Sequence, residues 1–397
     1  MIEKCCICEK ESNDVFALKF KDLIGSGASE YIQHIGQCDN CGFIFTKNPF
    51  SDEQLEQRYK KLSKFEYDDT HYDYVINDTY KQQCIRQKNF IDEAIGEDGY
   101  DSVFEVGGAS GYNLGYYQKK GKKVYGVEPS LLNCKLAKQT YDVDMFNGMF
   151  DEYLKNDRND KFDIVFLSMV LEHIVNPYSF MKECSKITNK YIYIEVPTLD
   201  YKVAEEPYGM FCEEHVNIFT RESLTILMNK VGFEVVSEEI LFNERMHLPA
   251  GYPALCTLWK KSLVTMKPIK PMINSLMLFE SYIKQNQALL DDIKMTVDNI
   301  DNETQIGLWG VGHHVAMLLG ETSLKEKNIV AVYDSDERKR GMLISGVAVK
   351  PFDIDDLLLG RVDKILITTY TAQNSIRRYI KNNGWDMDRF IFLYDLD

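Results

Sequence analysis

The sequence predicts an α/β chain in three parts: a small cysteine-rich module, a central doubly wound domain, and a second, smaller α/β domain at the carboxyl end. Three observations predict it. An apolar run enters a glycine-rich turn over residues 103–111, and a second apolar run, 124–128, ends in an acid. The same pattern returns at 305–312 and 328–334. Cys5-x-x-Cys8 and Cys38-x-x-Cys41 stand ahead of both. Strand, helix and strand alternating in this way make a mostly parallel sheet with helices on both faces.

A chain of 397 residues can bury two or three separate cores. Its formal net charge of −15 argues against generic nucleic-acid binding and favours solubility. An anionic substrate would need a local cluster of Lys, Arg or backbone N–H groups. There is no apolar run long enough to span a bilayer and no secretory leader, so the expected location is cytoplasmic, with no membrane partner. Of ten cysteines, five fall within the first 41 residues, which suits metal binding in a reducing compartment better than a disulfide framework.

Residues 1–75 form the first part. Cys5, Cys8, Cys38 and Cys41 make two knuckles separated by 29 residues, with Gly42 after the second. Four thiolates at this spacing suit a structural Zn²⁺ with no open coordination position. The competing readings are two unrelated cysteine pairs or a redox Cys-x-x-Cys. Ser51 can cap a helix with Gln54 completing a capping box. An aromatic segment follows (Phe65, Tyr67, His71, Tyr72, Tyr74), read either as an active-site lid or as interdomain packing.

Residues 76–260 form the central domain. An amphipathic helix over 76–98 precedes the first βαβ unit. Its glycine turn holds Gly107, Gly108 and Gly111, where a Cβ would obstruct a close backbone approach to a ligand. Glu128, 21 positions after Gly107, is placed to accept hydrogen bonds from a ribose diol. Further strands are expected at 162–168 and 191–197. Ligands bind at the carboxyl ends of such strands, which is where Glu105, Gly107, Glu128, Ser168 and His173 fall. The glycine pattern alone does not separate a dinucleotide site from an S-adenosylmethionine (SAM) site.

The motifs Phe-Glu-Val-Gly-Gly-Ala-Ser-Gly (104–111), Gly-Val-Glu-Pro-Ser (126–130) and Val-Leu-Glu-His-Ile-x-x-Pro (170–177) resemble class I SAM-dependent methyltransferases. With the cysteine tetrad and the carboxyl-terminal domain, the chain resembles the three-domain NDP-sugar C-methyltransferases along nearly its whole length. The resemblance implies a zinc module, a Rossmann-like SAM domain and a second Rossmann-like domain. It implies SAM contacts at Glu105, Gly107, Gly108, Gly111, Glu128, Pro129, Phe150, Ser168 and Met169.

The loop Phe211-Cys212-Glu213-Glu214-His215-Val216-Asn217 looks like the signature of that family, in which His215 is the general base and Glu214 lies beside it. A second active-site histidine corresponds to His173, and Asn217 is an expected substrate contact with Tyr67 and Tyr72. A carbon beside a ketone is acidic enough for an imidazole near neutral pH to deprotonate. The residues alone leave alternatives open. His215 can shape a pocket, and His173 can hold a helix start or touch the cofactor. Two departures from the family pattern bear on the substrate: Cys212 stands where Tyr is usual, and the glycine loop reads Gly108-Ala109-Ser110-Gly111.

Residues 261–303 are a linker, with a breaker cluster Lys267-Pro268-Ile269-Lys270-Pro271 and a long helix over 272–298. Residues 304–397 read as the second Rossmann-like domain. Gly310-x-Gly312 alone could hold NAD, but the third glycine of that fingerprint is missing. The resemblance implies that the domain clamps a nucleotide sugar, with Gly310, Gly312 and His313 as contacts; a solvated, inert histidine pair is the bland alternative at His313 and His314.

The expectation is a SAM-dependent methyltransferase acting on a nucleotide-linked keto sugar at carbon. An O- or N-methyltransferase on a related small molecule is the first alternative, and a non-catalytic zinc and nucleotide-binding module is the second. Oligomeric state is not legible in the sequence.

Overall fold

The computed structural model describes residues 2–22, 30–51, 54, 78–156, 160–201, 206–242, 253–262 and 273–394. The aromatic segment with Tyr67 and Tyr72 and the breaker cluster at 267–271 lie outside the described residues. The strands in chain order are β1 (Asn13–Lys21), β2 (Glu30–Gln37), β3 (Ile44–Thr46), β4 (Ser102–Val106), β5 (Lys123–Glu128), β6 (Met145–Asn147), β7 (Phe162–Ser168), β8 (Thr188–Pro197), β9 (Asn217–Ile218), β10 (Phe233–Leu241) and β11 (Ala254–Lys261). β12 (Ile306–Trp309), β13 (Ile329–Tyr333), β14 (Leu343–Ile344), β15 (Val347–Lys350), β16 (Lys364–Ile367) and β17 (Phe390–Phe392) complete the set. The chain divides into two compact units, and neither is one contiguous stretch. The first comprises Met1–Val15, Ile35–Ala204 and Glu213–Tyr282; the second comprises Phe16–His34, Glu205–Cys212 and Ile283–Asp397.

The first unit is built on a seven-stranded sheet of order β10-β11-β8-β7-β4-β5-β6. β4 pairs in parallel with β5 and β7, β5 with β6, and β7 with β8. β11 runs against both β8 and β10. The sequence reading contains neither β10 nor β11, and β11 makes the sheet mixed. The sheet is buried on both faces because β7 alternates: Val165 and Leu167 enter one core with Phe104 and Trp259, while Ile164 and Phe166 enter another with Tyr117 and Tyr193. Helices start where side chains cap them. Ser130 accepts from Asn133 N–H ahead of the Leu131–Tyr141 helix, and Asn176 from Ser179 N–H ahead of Pro177–Ile187.

The chain turns from β4 towards β5 and β6 on one side and towards β7 and β8 on the other. The crevice outside the carboxyl ends of β4 and β7 is therefore the switch point where ligands bind in such sheets. Val106 pairs with Leu167 there, so the glycine turn after β4 and the turn after β7 open side by side.

β3 joins the cysteine knuckles to this unit. It pairs antiparallel with β9, Ile44 opposite Ile218 and Phe45 opposite Asn217, and Thr46 N–H donates to the Val216 carbonyl at 2.8 Å. The expected capping box also forms: Gln54 N–H reaches Ser51 Oγ at 3.2 Å, and Ser51 N–H reaches Gln54 Oε1 at 2.9 Å.

The second unit is built on a six-stranded sheet of order β14-β15-β13-β12-β16-β17, parallel except for the β14–β15 hairpin. Trp309, Tyr333, Ile365, Ile367 and Phe390 form its core, and Trp309 stacks on Phe352 at 3.9 Å between centroids. Residues of β1 belong to this unit. Lys19 N–H donates to Glu321 Oε1 at 2.6 Å, and a Cβ on Gly320 would sit 2.0 Å from the Lys19 carbonyl oxygen.

Candidate active site

Each glycine of the turn after β4 has an identifiable task. Gly107 and Gly111 adopt φ of 73° and 74°. A Cβ at Gly111 would lie 2.4 Å from Ala137 Cβ, and one at Gly108 would lie 2.5 Å from Met145 Sδ. The Cβ-free approach expected for a ligand is thus used at these two positions to seat the turn against the Leu131–Tyr141 helix and β6. Gly107 faces the next turn, where its Cβ would meet Val170 Cγ2 at 3.1 Å. Ala109 takes φ of 44°, left-handed and unfavourable for a residue with a Cβ.

Glu128 anchors this turn. Its carboxylate accepts from Ala109 N–H at 3.0 Å and from Ser130 N–H at 2.9 Å. A carboxylate has about four lone-pair sites, so these two bonds alone do not fill it. Asn147 Nδ2 donates to the carbonyls of Glu128 and Pro129 at 3.2 and 3.0 Å.

Glu105, at the end of β4, is buried. Asn113 Nδ2 donates to its Oε1 at 2.9 Å, while Oε2 is buried with no hydrogen-bond partner. Burial pushes its carboxyl up to about 8; the Asn113 bond opposes that rise and the nearby Glu128 adds to it. Ser110 Oγ and Asn113 Oδ1 are also buried without partners. These orphaned polar atoms beside the glycine turn fit the polar amino-acid and ribose groups of SAM.

On the β7 side, Ser168 Oγ accepts from Gln87 Nε2 at 2.9 Å, and Gln87 also reaches Glu195 Oε2 at 2.9 Å. Glu195 is fully buried, with Arg86 NH2 on its Oε1 at 2.8 Å and Tyr193 OH on its Oε2 at 2.6 Å. The Asp78–Ile95 helix thereby fixes the ends of β7 and β8. Met169 takes φ of 53°, and its N–H donates to the Glu195 carbonyl at 2.9 Å. Phe150 is placed in the aromatic core, with its ring 6.1 Å from Phe104 and 5.3 Å from Phe180.

The chain then makes the short turn Leu171–His173. Here the structure brings together two stretches that are 42 residues apart in sequence. His173 Nδ1 donates to the Glu214 carbonyl at 3.1 Å, and the His173 and His215 rings meet edge to face at 5.0 Å. Val216 N–H donates to the Glu172 carbonyl at 2.9 Å. Asn217 Nδ2 donates to the carbonyls of Leu171 and Ile174 at 3.2 and 2.6 Å. Both of its amide hydrogens are thereby committed, so this buried side chain clamps the turn.

Burial holds the His173 imidazole down to about 3, and the neighbouring His215 adds to the effect. Burial pushes Glu172 up to about 7, opposed by His215. Glu172 Oε2 is buried without a hydrogen-bond partner. The Glu172 carboxylate stands in the histidine cluster, a placement no spacing rule announces.

The four knuckle cysteines converge. Cys5 and Cys41 Sγ lie 3.5 Å apart, Cys8 and Cys38 Sγ lie 3.3 Å apart, and all four sulfurs are within 4.8 Å of one another. The edge of a tetrahedron with zinc–sulfur arms is about 3.8 Å, close to these separations.

The expected contacts of the second unit are placed as follows. Gly310 has φ of 111°, and a Cβ there would strike Thr369 Cβ at 2.8 Å. Gly312 opens to free space. His313 Nε2 donates to the Phe211 carbonyl at 3.1 Å and its ring packs 4.8 Å from Phe20. His314 Nδ1 lies 3.1 Å from Glu206, and its Nε2 meets the Tyr394 hydroxyl. Both histidines are built into the unit, so the solvated, inert alternative does not hold. Asp334 accepts from Val311 N–H at 2.7 Å and Lys339 Nζ at 3.1 Å.

Residues 76–238 match the family described as a methyltransferase domain. That match supports SAM-dependent methyltransferase activity, carried by this domain. Among solved structures, the chain is similar to 1,6-didemethyltoxoflavin-N1-methyltransferase of Burkholderia thailandensis with bound S-adenosylhomocysteine. That likeness has 15% identity, covers 58% of this chain and 96% of that one, and has a TM-score of 0.41. It is also similar to magnesium protoporphyrin IX methyltransferase of Synechocystis PCC 6803, at 13% identity over 53% of this chain and 100% of that one, with a TM-score of 0.39. No curated protein matched the sequence. No described helix is long and apolar enough to cross a membrane.

Proposed function

We propose that this methyltransferase transfers the SAM methyl group to carbon in a nucleotide-linked keto sugar, with His215 as general base. The observation that carries the reading is the meeting of His173 and His215 beside the β4–β7 crevice, with Glu172 buried against them. His215 takes the proton from the carbon beside the ketone, and the C–H electrons pass into the enolate. The enolate carbon then attacks the methyl group, and the carbon–sulfur bond breaks to release S-adenosylhomocysteine. Alignment of the two reactants supplies much of the acceleration. The Glu214 carbonyl holds the His173 ring, which in turn walls the base.

SAM is held, in this reading, by Glu105, the turn Gly107–Gly108–Gly111, Glu128, Pro129, Ser168 and Met169. Phe150 supports that pocket from the core. A structural Zn²⁺ in the cysteine tetrad would hold the 1–75 module. The 304–397 domain, Rossmann-like and joined through the 261–303 linker, would take the nucleotide through Gly310, Gly312 and His313; Tyr67 and Tyr72 are the proposed sugar contacts. A cytoplasmic location suits this substrate. An O- or N-methyl acceptor is the second reading, favoured by Cys212 in place of the family's tyrosine.

The test is incubation with SAM, a dTDP-4-keto sugar and D₂O. Deuterium entering beside the ketone in wild type and lost in His215→Asn supports the assignment. Methyl transfer to the sugar that survives His215→Asn removes His215 as base.

A further inference from the structure

The histidine cluster carries an unsolved electrostatic problem. His173 Nδ1 faces a carbonyl oxygen, which only accepts, so the proton of the neutral ring is on Nδ1. Its Nε2 then offers a lone pair. That lone pair faces Glu172 Oε1 at 3.9 Å, another acceptor. Glu172 is 1% exposed, and its second oxygen is buried with no hydrogen-bond partner. A nitrogen of His215 completes the group, with the three ligand atoms within 4.8 Å of one another. His173 Nε2 and the Glu172 carboxylate are thus two acceptors side by side, and a cation beside them would satisfy both.

We infer that Glu172, His173 and His215 bind one divalent transition-metal ion, separate from the cysteine tetrad. Two imidazoles and one carboxylate are a donor set for zinc, iron or cobalt, with coordination positions left open. The Nδ1–H bond from His173 to a backbone carbonyl is the outer contact that orients metal-ligating histidines. Ligands on one such ion stand roughly 3–3.5 Å apart, so the cluster closes on it by shifts of about 1 Å. The site is held from outside by the Asn217 amide on Leu171 and Ile174, and by Val216 N–H on the Glu172 carbonyl. The ion and the proposed base step compete for His215, because a coordinated nitrogen has no lone pair left to accept the substrate's proton. The inference about His215 rests on the proposed reaction; the binding site does not.

The test is titration of the full-length, zinc-loaded protein with Co²⁺, followed by visible and near-ultraviolet absorption. A Co²⁺ equivalent with d–d bands and no thiolate charge-transfer band marks nitrogen and oxygen ligation. It is expected in wild type and weakened at least tenfold in both Glu172→Gln and His173→Asn. Calorimetric SAM binding reports that the variants remain folded. No such equivalent in wild type, or an equal one in both variants, overturns the inference. α-Proton exchange by the Co²⁺-loaded protein gives a separate reading. Loss of exchange fits the competition. Exchange that persists with the ion bound leaves the metal site standing and removes His215 as base.

Discussion

His173 Nδ1 donates a hydrogen bond to the backbone carbonyl of Glu214 at 3.1 Å. That bond ties the turn after β7 to the loop before β9, and so joins the cofactor side of the site to the proposed base. His173→Ala should release the loop and misplace His215. A misplacement of about 1 Å costs on the order of 10²-fold in rate. Steady-state kinetics should show the loss in kcat, with SAM affinity by calorimetry unchanged.

β3 carries the second cysteine knuckle's strand onto β9, two residues beyond His215. Stripping metal from the tetrad, or Cys41→Ser, should therefore lower catalysis as well as stability. Metal analysis should find zinc in wild type and not in the variant, and the melting temperature and methyl transfer should fall together. Zinc-free wild type with full activity would contradict this.

Glu105 gives stability a defined pH dependence. Its folded carboxyl sits at about 8, against an ordinary 4.5. Between those values the folded chain keeps a proton that the unfolded chain has lost. Raising the pH through this window therefore destabilises the fold, and above about 8 the effect levels off. Relative to Glu105→Gln, wild type should lose up to about 1.4 kcal/mol per pH unit across the window. Denaturant unfolding at several pH values reads the slope.

The glycine turn makes a pair of opposite predictions. Gly111→Ala places a Cβ 2.4 Å from Ala137 Cβ at φ of 74°, so stability and SAM binding should both fall. Ala109→Gly relieves a left-handed residue at φ of 44° and should stabilise by about 1 kcal/mol. Thermal melts of the two variants should move in opposite directions.

Arg86 and Glu195 meet at 2.8 Å with Glu195 fully buried. Arg86→Met leaves that carboxylate uncompensated and should cost about 3–5 kcal/mol. Adding Glu195→Gln should recover part of the loss, which a double-mutant cycle in urea would measure.

Much of the first unit was legible because its signals are local. Alternating apolar runs gave β4, β5, β7 and β8, a glycine turn followed β4, and Ser51 with Gln54 closed the expected cap. β10 was not legible, since solvent-facing positions such as Val235, Val236 and Glu239 blur the alternation. The roles of Asn217 and Glu172 were also hidden. Asn217 bonds to carbonyls at 171 and 174, and Glu172 faces His215; neither partner can be read from spacing along the chain.

The sequence by itself determined the α/β character of the first unit, because a close-packed strand-to-helix turn demands glycine and a sheet buried on both faces demands apolar runs. Only the tertiary structure decided what those residues touch. It showed that a Cβ at Gly108 or Gly111 would strike Met145 or Ala137, and it brought Glu172 to the two histidines. Burial and acceptor crowding arise from residues far apart in sequence, so the charge balance of the site exists only once the chain has closed around it.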